Sequence, residues 1–489
     1  MKIITVMSDE HSFHMMSFVK SFRNSVLKTP NLDRLAAEST VFDSCYTPCP
    51  LCAPARGSFI SGRYVHRTGT WDNSTPYDGK VLGLSQYLTG FGIPYINIGK
   101  THFHPQGSYG FTFQRQEGFM EHADIGCFFR DQKTGRIGAE KRFEKIGLKT
   151  EESHDDKVLA SGLSWLEEHG REKDWYLYLG FLDPHFPFYV KKEYWDYYEK
   201  QIPEIPDALK PPFSSLNESL DWLRTYFKCE SLPEDTVRKL LIGYHCAIAQ
   251  LDERLGILLD KVDALGLKDQ VIFCYTSDHG EQLGYHGLWW KCCMFEESAH
   301  VPMIVRLPGG KSRRVEAPVN LTDWFPTVCD YMGLPIPGSL DGQSLRPFME
   351  TGENPGHQDF SFSEYHAHGI PHAMFMIRFK QYKYVYYCSD SPQLFDLEHD
   401  PGENHNLLEI SQDPQELYMD KKQNIFFPSS AEAGEIVRQC HERLLSVCDP
   451  HEADARAKEF QRRMKDHLGI AEYRTDMMDC PVPHPEAWG

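Results

Sequence analysis

The feature of this sequence that most constrains its fold is a regular alternation between short apolar runs and longer amphipathic segments. The apolar runs are rich in β-branched and aromatic residues, as buried strands are, and they span residues 2–8, 41–46, 94–99, 175–181, 271–275 and 301–305. Segments with helical periodicity lie between them, at residues 29–36, 82–89, 156–169 and 238–265. This alternation predicts an α/β fold in which helices flank a large, mainly parallel, doubly wound sheet.

Two parts of the chain depart from the alternation. Residues 200–232 are rich in proline and acidic side chains and predict an excursion on the surface. Residues 352–356 have the composition of a linker, and a hairpin, a further strand and a last helix follow at residues 373–377, 382–387, 393–397 and 431–447. We therefore expect a large α/β domain over residues 1–350 and a smaller α+β subdomain, contributing to the pocket of the larger domain, over residues 355–489.

The charge of the chain restricts its partners. A net charge of −19 argues against binding to nucleic acid or to an anionic membrane, and an anionic substrate would need a local cluster of cations. The sequence contains no apolar run long enough to span a bilayer and begins without a signal-peptide pattern, so we expect a cytoplasmic protein. Its fourteen cysteines are scattered, which favours free thiols over disulfides.

Polar side chains follow four of the predicted strands, where open α/β sheets place their ligands. Carboxylates from two strand ends can hold a divalent cation, lysine and arginine side chains can neutralise a tetrahedral oxyanion, and histidines can move protons. The pattern predicts a hydrolase of phosphate or sulfate esters, although each residue taken singly has the alternative of a loop or helix-cap role. These residues are Asp9, Glu10, Lys100, His102, His185, Asp278 and His279.

A cysteine between two prolines precedes another predicted helix. Pro50 and Pro54 bracket Cys52, so the helix can start near Pro54, and Arg56 then lies about one turn beyond the cysteine. The unpaired first-turn N–H groups and the Arg56 guanidinium would together bind a small anion beside a nucleophile. The alternatives are a buried structural cysteine and a zinc or redox role shared with Cys49, although no second cysteine pair completes a zinc site.

These motifs and their order resemble those of the type I, formylglycine-dependent sulfatases of the alkaline phosphatase superfamily. The run Cys-Ala-Pro-Ala-Arg at residues 52–56, followed by Ser-Gly, resembles the signature whose cysteine is oxidised to formylglycine. Ala55 replaces the usual serine, as it also does in related phosphonate monoester hydrolases. Further family segments are matched by Gly-Lys-Thr-His at residues 99–102, Asp-Pro-His-Phe-Pro at 183–187, Ser-Asp-His-Gly-Glu at 277–281 with Lys291 and Glu296, and Leu-Phe-Asp-Leu at 394–397.

The resemblance implies one divalent metal ion and a set of ligands for it. Ca²⁺ is the usual metal of sulfatases and suits oxygen ligands, so we expect Ca²⁺. Glu10 and His279 stand where most sulfatases have Asp and many have Asn, and the imidazole leaves Mn²⁺ or Zn²⁺ as alternatives. The implied ligands are Asp9, Glu10, Asp278, His279 and the residue derived from Cys52.

The resemblance also implies a nucleophilic mechanism and a maturation enzyme as partner. Hydrated formylglycine at residue 52 is a geminal diol; one hydroxyl attacks sulfur to give a covalent sulfo-enzyme, and the second hydroxyl then expels sulfate. An unmodified cysteine could not finish this cycle, because it lacks the second hydroxyl. The implied roles belong to Cys52 (nucleophile after modification), Asp278 (activating carboxylate), Arg56 and Lys100 (binding of the sulfate oxygens), His185 and Lys291 (protonation of the leaving alcohol) and His102 (base for the second hydroxyl).

Residues outside the signature are expected to line the substrate pocket. A polar, histidine-rich lining beside an aromatic ring suits a small anionic sulfated carbohydrate, for example a glycosaminoglycan-derived mono- or disaccharide carrying a sulfate ester or sulfamate. The alternatives are phosphonate monoester or phosphodiester hydrolysis at the same site, choline-sulfatase or arylsulfatase activity, and a non-catalytic anion-binding role. The pocket candidates are Trp71, Asn73, His104, His366, His368 and Arg378, of which Arg378 could meet a uronic acid carboxylate.

Overall fold

The structure is a computed structural model that describes residues 1–21, 23–116, 125–130, 132, 135–136, 138–408, 418–420, 425–427 and 431–473. The strands within these residues are β1 (Lys2–Asp9), β2 (Thr40–Phe42), β3 (Cys45–Tyr46), β4 (Tyr95–Gly99), β5 (Phe113–Arg115), β6 (Ile146–Leu148), β7 (Trp175–Pro184), β8 (Phe188–Val190), β9 (Val271–Ser277), β10 (Met303–Arg306), β11 (Arg313–Val315), β12 (Val319–Asn320), β13 (Phe360–Tyr365), β14 (Met374–Phe379), β15 (Tyr382–Tyr387), β16 (Asp390–Asp396), β17 (Tyr418–Asp420) and β18 (Ile425–Phe427).

Helices alternate with these strands in the first two thirds of the chain and close it at the end. They are α1 (Pro30–Ala37), α2 (Cys52–Ser61), α3 (Val65–Thr68), α4 (Leu84–Gly90), α5 (Ala139–Arg142), α6 (His154–His169), α7 (Lys192–Gln201), α8 (Glu218–Phe227), α9 (Glu234–Ala264), α10 (Glu296–Ala299), α11 (Trp324–Met332), α12 (Arg346–Thr351), α13 (Ala431–Val447) and α14 (Pro450–Leu468).

The main sheet has eight strands in the order β11-β2-β10-β9-β1-β7-β4-β5. Its pairs are parallel except the two made by β10, which runs antiparallel to β9 and to β2. Strand β1 has apolar side chains on both faces of the sheet. Ile3 and Met7 pack into the core on one face, and Ile4 and Val6 pack into the core on the other. Helices therefore cover both faces of the sheet, and the predicted fold, a large, mainly parallel sheet flanked by helices, is confirmed.

The structure corrects two of the predicted elements. The single strand predicted at residues 41–46 is two strands, because β2 joins the main sheet while β3 pairs separately with β12. The surface excursion predicted at residues 200–232 contains helix α8, whose Leu220, Leu223 and Phe227 are buried. Their spacing of three and four residues forms one apolar helix face, which the proline and acid content of the wider stretch concealed.

A second, antiparallel sheet of four strands, β13-β14-β15-β16, follows the main sheet in the chain. It includes the predicted hairpin as β14 and β15, and α13 occupies the predicted residues 431–447. Helix α14, which the sequence patterns did not predict, packs Phe460 and Met464 into the core cluster that contains Phe186 and Trp290. The C-terminal elements are thereby joined to the earlier part of the chain.

Two further expectations concern the surroundings of the protein. The thirteen cysteines of the described residues are all free thiols, as predicted. Within the described ranges, none of the helices combines the length and apolar character that crossing a bilayer requires.

The start of α1 depends on a carboxylate from α9. Asp252 accepts hydrogen bonds from the backbone N–H groups of Asn31, at 3.1 Å, and Leu32, at 2.8 Å, whereas Thr29 at the N-cap position provides no side-chain cap. The substitution Asp252→Ala should leave two first-turn N–H groups buried without an acceptor and lower the free energy of unfolding by about 1–3 kcal/mol. Urea-induced unfolding followed by circular dichroism measures this loss.

The adjacent residue provides a matched control. Glu253 forms an ion pair with Lys191 at the surface, where both side chains are more than a third exposed, so Glu253→Ala should change stability by less than about 1 kcal/mol. Equal losses in Asp252→Ala and Glu253→Ala would contradict the capping role of Asp252.

Candidate active site

The predicted polar residues meet because four neighbouring strands are parallel. The strands β9, β1, β7 and β4 are adjacent in the sheet, so their carboxyl ends lie along one edge. Asp9 closes β1, and residues from the loops after β4, β7 and β9 join it there. The strand-end residues assembled in this way are Asp9, Glu10, Lys100, His102, His185, Asp278 and His279.

Helix α2 brings Cys52 to the same edge. The helix begins at Cys52 itself, two residues before the predicted start, with Leu51 in an extended conformation, and it ends at Gly62, whose φ of 64° is left-handed. Pro54 lies in the first turn, where its missing N–H is not needed. All ten helical residues are buried, so Cys52 is fixed in a rigid wall of the site.

Four donor groups lie close enough to bind one metal ion. One ligand atom from each of Asp9, Cys52, Asp278 and His279 lies within 4.8 Å of the others, and all four residues are buried. The Nε2 atom of His279 is 3.1 Å from the Cys52 sulfur and 3.7 Å from Asp9 Oδ1. Because Nδ1 of His279 lies 3.0 Å from the carbonyl oxygen of Gly280, the Nδ1–H donates there and Nε2 faces the cluster. Two carboxylates and an imidazole fit a divalent cation.

Glu10, which was also expected as a metal ligand, is not in this four-residue cluster. Its φ of 69° is left-handed, so the chain turns directly after β1. Its carboxylate lies 3.2 Å from the Lys291 ammonium and 3.3 Å from Nε2 of His185. Its backbone N–H donates to Asp278 Oδ1 at 3.2 Å. Glu10 also forms, with Asp9 and His185, a second group of three possible metal ligands whose atoms lie within 4.8 Å of one another, so its expected role as a ligand stays a prediction.

Arg56 lies beneath the cluster and holds its two carboxylates. Its Nε donates to Asp278 Oδ2 at 2.7 Å and its Nη2 to Asp9 Oδ2 at 3.0 Å, while Nη1 donates to the Tyr178 hydroxyl at 2.8 Å. Burial and the Cys52 sulfur favour the neutral form of Asp9, yet the nearby cations hold the pKa of Asp9 well below its usual range. Burial raises the pKa of Asp278. Arg56 thus contacts both ligand carboxylates, and its expected contact with sulfate oxygens stays a prediction.

Two ammonium groups flank the cysteine. Lys100 Nζ is 2.5 Å from Asp9 Oδ2, and burial lowers the pKa of this lysine less than Asp9 and Cys52 raise it. The pKa of Lys291 is likewise raised, because the attraction of Cys52 and Glu10 outweighs its burial. Burial alone would raise the pKa of Cys52, but Lys291 and Lys100 hold it well below that of an ordinary thiol. The site therefore stabilises negative charge at position 52.

His185 and Lys291 form a donor pair. Lys291 Nζ lies 2.7 Å from His185 Nε2, and an ammonium can only donate, so Nε2 accepts. The other ring nitrogen, Nδ1, lies against the carbonyl oxygen of Phe186. Lys291 therefore donates a hydrogen bond to His185 Nε2, the ring nitrogen that also faces Glu10 and Asp9.

A cavity of about 300 Å³ opens over these groups. Seven of the sequence-predicted residues line it, and so do two arginines that the sequence analysis did not identify. Arg136 and Arg142 follow no predicted strand and belong to no recognisable motif, so only their position in the structure identifies them. The lining consists of Leu51, Cys52, Asn73, Lys100, His102, Arg136, Arg142, Leu182, His185, Phe186, Pro187, Phe227, Trp290, Lys291, Cys292 and His368.

Two of the six pocket candidates line the cavity. Asn73 is half-buried and accepts from the backbone N–H of Ala53 at 3.0 Å, next to the cysteine. His368 stacks on Tyr226, with 5.3 Å between the ring centroids, and its Nδ1 lies 3.1 Å from the Cys127 sulfur. These contacts fix both side chains in the cavity wall.

Among the residues that the structure describes, the other four candidates do not line this cavity. Their polar groups are used inside the fold: His366 Nε2 lies 2.8 Å from Glu364, and Arg378 Nε donates to the Tyr46 hydroxyl at 3.0 Å. Trp71 packs edge-on against His366, and Nδ1 of His104 accepts from the backbone N–H of Gln106. Trp71, His104, His366 and Arg378 are therefore not part of this lining, and their expected pocket role stays a prediction.

The chain matches two protein-family models and several sulfatases of known name. The Sulfatase family model matches residues 2–334, and the model named N-sulphoglucosamine sulphohydrolase, C-terminal, matches residues 284–426. Choline-sulfatase of Rhizobium meliloti (strain 1021) is 31% identical over 410 residues, covering 79% of each chain. Arylsulfatase K of Bos taurus is 28% identical over 431 residues, covering 83% of this chain and 78% of its own.

Solved structures share the fold. The phosphonate monoester hydrolase of Agrobacterium radiobacter superposes with a TM-score of 0.70 at 22% identity, covering 91% of this chain and 95% of its own. BT4656, in complex with its substrate D-glucosamine-2-N,6-O-disulfate, superposes with a TM-score of 0.71 at 20% identity, covering 94% and 98%. Together with the sequence matches and the strand-end site, these similarities show that the chain belongs to the sulfatase family, the sulfuric ester hydrolases of the alkaline phosphatase superfamily.

Proposed function

We propose that this protein hydrolyses a sulfate ester or sulfamate of a small carbohydrate, such as a glycosaminoglycan-derived mono- or disaccharide, through formylglycine made from Cys52. The observation that carries the proposal is the position of Cys52, which lines the cavity 3.1 Å from His279 of the ligand cluster and between two ammonium groups. Relatives are named for choline sulfate and aryl sulfates, and BT4656 takes a sulfated glucosamine as substrate.

Two groups besides the encoded side chains belong to this proposal. A divalent ion held by Asp9, Asp278, His279 and residue 52 would supply Lewis-acid activation and neutralise negative charge. Formylglycine at residue 52, once hydrated, would supply the hydroxyl nucleophile. Ca²⁺ stays the first candidate for this ion, and the imidazole nitrogen of His279 keeps Mn²⁺ and Zn²⁺ as alternatives.

The residues around position 52 are suited to holding a sulfate group. Lys100 and Lys291 both line the cavity and both keep their positive charge beside buried carboxylates. A sulfate between these ammonium groups would be neutralised where charge develops in the transition state. Arg56 keeps the Asp9 and Asp278 carboxylates in place beneath it, so we assign Arg56 a positioning role.

Departure of the alcohol requires a proton, and the His185–Lys291 pair can provide it. Lys291 donates to His185 Nε2, and Glu10 lies within 3.3 Å of both groups. A leaving oxygen bound beside this pair would be protonated as its bond to sulfur breaks. The nearby Glu10 carboxylate favours the return of a proton to the His185–Lys291 pair after the alcohol has left.

A second candidate function is hydrolysis of phosphonate monoesters or phosphodiesters. The observation that favours it is the Asp-Cys-Asp-His ligand cluster, since a cation bound by an imidazole can also activate a phosphorus ester. Release of sulfate and of phosphonate from matched aryl esters separates the two functions. A higher kcat/KM for the phosphonate would reverse our order of preference.

The modification of Cys52 can be measured directly. In active protein, the tryptic peptide that contains residue 52 should be about 18 Da lighter than its cysteine form, the difference between a thiol and an aldehyde. Cys52→Ala should abolish sulfate release from a panel of sulfated sugars, because alanine provides no nucleophile to attack sulfur. Unmodified Cys52 in fully active protein would disprove the formylglycine mechanism.

The proton donor can be tested by varying the leaving group. His185→Ala should lower kcat/KM about 10²–10⁴-fold on a sugar sulfate, whose alkoxide needs a proton to leave. The loss on 4-nitrophenyl sulfate should be much smaller, because nitrophenolate is a stable anion. His169→Ala, at a surface histidine paired with Glu172, is the control and should leave both activities unchanged. Equal losses on the two substrates would exclude a role of the His185–Lys291 pair in protonating the leaving group.

The ligand cluster can be tested by metal content. Purified protein should contain about one divalent ion per chain, and chelation should abolish activity, as expected for a metal that activates the nucleophile. Elemental analysis should show the ion lost in His279→Ala but retained in Glu10→Gln, because only His279 belongs to the cluster. Loss of the ion in Glu10→Gln as well would restore Glu10 to the ligand set.

A further inference from the structure

We propose that His14, Glu296 and His300 form a separate metal site, which binds one Zn²⁺ ion and joins the loop after β1 to helix α10. One ligand atom from each of the three residues lies within 4.8 Å of the other two. Among the described residues, the lining of the active-site cavity includes none of them. Two imidazole nitrogens and one carboxylate oxygen are the donor set of zinc sites in which water takes the fourth position.

Glu296 and His300 are brought together by helix α10. They are four residues apart, at the first helical position and at the C-cap, so both side chains lie on one face of the turn. The N–H of His300 donates to the carbonyl oxygen of Glu296 at 3.1 Å, which closes that turn. His14 comes from the loop after β1, where Asn24 Nδ2 donates to its carbonyl oxygen at 2.7 Å. The third ligand is thus distant in sequence, and no local motif identifies the site.

The imidazole of His300 stacks on two aromatic rings. The ring of Phe13 lies 4.1 Å away between centroids at an interplanar angle of 9°, and the ring of Tyr46 lies 4.9 Å away at 21°. The carbonyl oxygen of His300 also accepts from the N–H of Phe13 at 3.0 Å. This packing fixes the plane of the imidazole, with Nδ1 2.7 Å from Glu296 Oε2. A ligand held in this way loses little conformational freedom when it binds an ion.

The carboxylate of Glu296 uses its two oxygens for different neighbours. Oε1 accepts from the Tyr46 hydroxyl at 2.9 Å and from the Lys383 ammonium at 3.0 Å. Oε2 faces the two imidazoles. Lys383 is therefore on the Oε1 side, and its charge is shared with Glu403. Donors to one oxygen orient a metal-binding carboxylate while the other oxygen stays directed at the ion.

The side chain of His14 directs a buried nitrogen at Glu296. Among the described residues, this Nε2 has no hydrogen-bond partner, because Oε2 of Glu296 is 3.8 Å away. Burial lowers the pKa of His14 to about 4, although Glu296 opposes the shift, so the ring is neutral at neutral pH. Metal ligation requires a neutral imidazole. A zinc ion bound here would give Nε2 a partner.

The alternative is a hydrogen-bond network without an ion. In that network His300 carries its proton on Nδ1 and donates to Glu296 Oε2, and His14 only packs beside them. When zinc binds, Nδ1 of His300 becomes a ligand and the ring carries its proton on Nε2. Because Ca²⁺ and Mg²⁺ prefer oxygen ligands, this donor set fits a cation that accepts imidazole nitrogen. Zinc affinity therefore distinguishes the two arrangements.

A zinc ion at this site would join three parts of the fold. His14 belongs to the loop that follows Asp9, the last residue of β1, and Glu296 begins α10. Through Lys383, Glu296 is also tied to β15 of the antiparallel sheet. The ion would stabilise the folded chain without entering the reaction at Cys52, so the site does not depend on the proposed function.

Zinc uptake, measured by equilibrium dialysis and elemental analysis, tests the site. Purified wild-type protein should bind about one Zn²⁺ per chain in addition to the ion of the Cys52 cluster, whereas Ca²⁺ should not fill this further site. His14→Ala should weaken binding of the further zinc at least about 100-fold, because a direct ligand is removed. His372→Ala is the matched control: Nε2 of this half-buried histidine lies 3.9 Å from Glu218 Oε2, and its loss should leave zinc uptake unchanged.

A second variant and a crystal structure make the test independent of folding. His300→Asn should lose the same zinc ion, and circular dichroism shows whether each variant is folded. In zinc-soaked crystals of the wild-type protein, anomalous scattering should show a peak bounded by His14 Nε2, Glu296 Oε2 and His300 Nδ1. Equal zinc uptake by wild-type protein and folded His14→Ala, or zinc-soaked crystals without a peak at these atoms, would overturn the site. Absence of sulfate release would overturn the proposed function and leave this result unaffected.

Discussion

The burial of like charges side by side is the constraint on which the rest of this structure depends. Asp9 and Asp278 end neighbouring strands and are both fully buried, so their carboxylates would repel each other strongly in a medium of low dielectric constant. Arg56 bridges them from helix α2 with hydrogen bonds of 3.0 and 2.7 Å. One guanidinium therefore fixes β1, β9 and α2 relative to each other, and with them the position of Cys52.

The same array prepares the site for an anion. Carboxylates lie deepest, and the ammonium groups of Lys100 and Lys291 lie above them and line the cavity. Each lysine keeps its charge because a carboxylate is next to it, although the surroundings are buried. The positive potential of the cavity is thus created locally, against a net charge of −19 for the whole chain. Preorganised charge of this kind needs no rearrangement when negative charge develops on a substrate.

The C-terminal part of the chain supports the site through a second buried charge array. Lys383 of β15 lies 3.0 Å from Glu296 of α10 and pairs also with Glu403. This contact joins the antiparallel sheet to the loop region that carries Lys291. Gln461 of α14 donates to the carbonyl oxygen of His366 at 2.8 Å, two residues before His368, which lines the cavity. Polar contacts near the site therefore hold the two parts of the chain together.

The sequence by itself determined the alternation of strands and helices along the chain, the strand-end residues and the cysteine signature, because each of these is a local pattern. Parallel neighbouring strands then necessarily bring their carboxyl ends together. Only the tertiary structure decided which way side chains point. The left-handed turn at Glu10 directs its carboxylate to Lys291, and Arg378 donates a hydrogen bond to the Tyr46 hydroxyl. The arrival of Arg136 and Arg142 in the cavity wall likewise depends on contacts with helix α8, which are distant in sequence and leave no periodic signal.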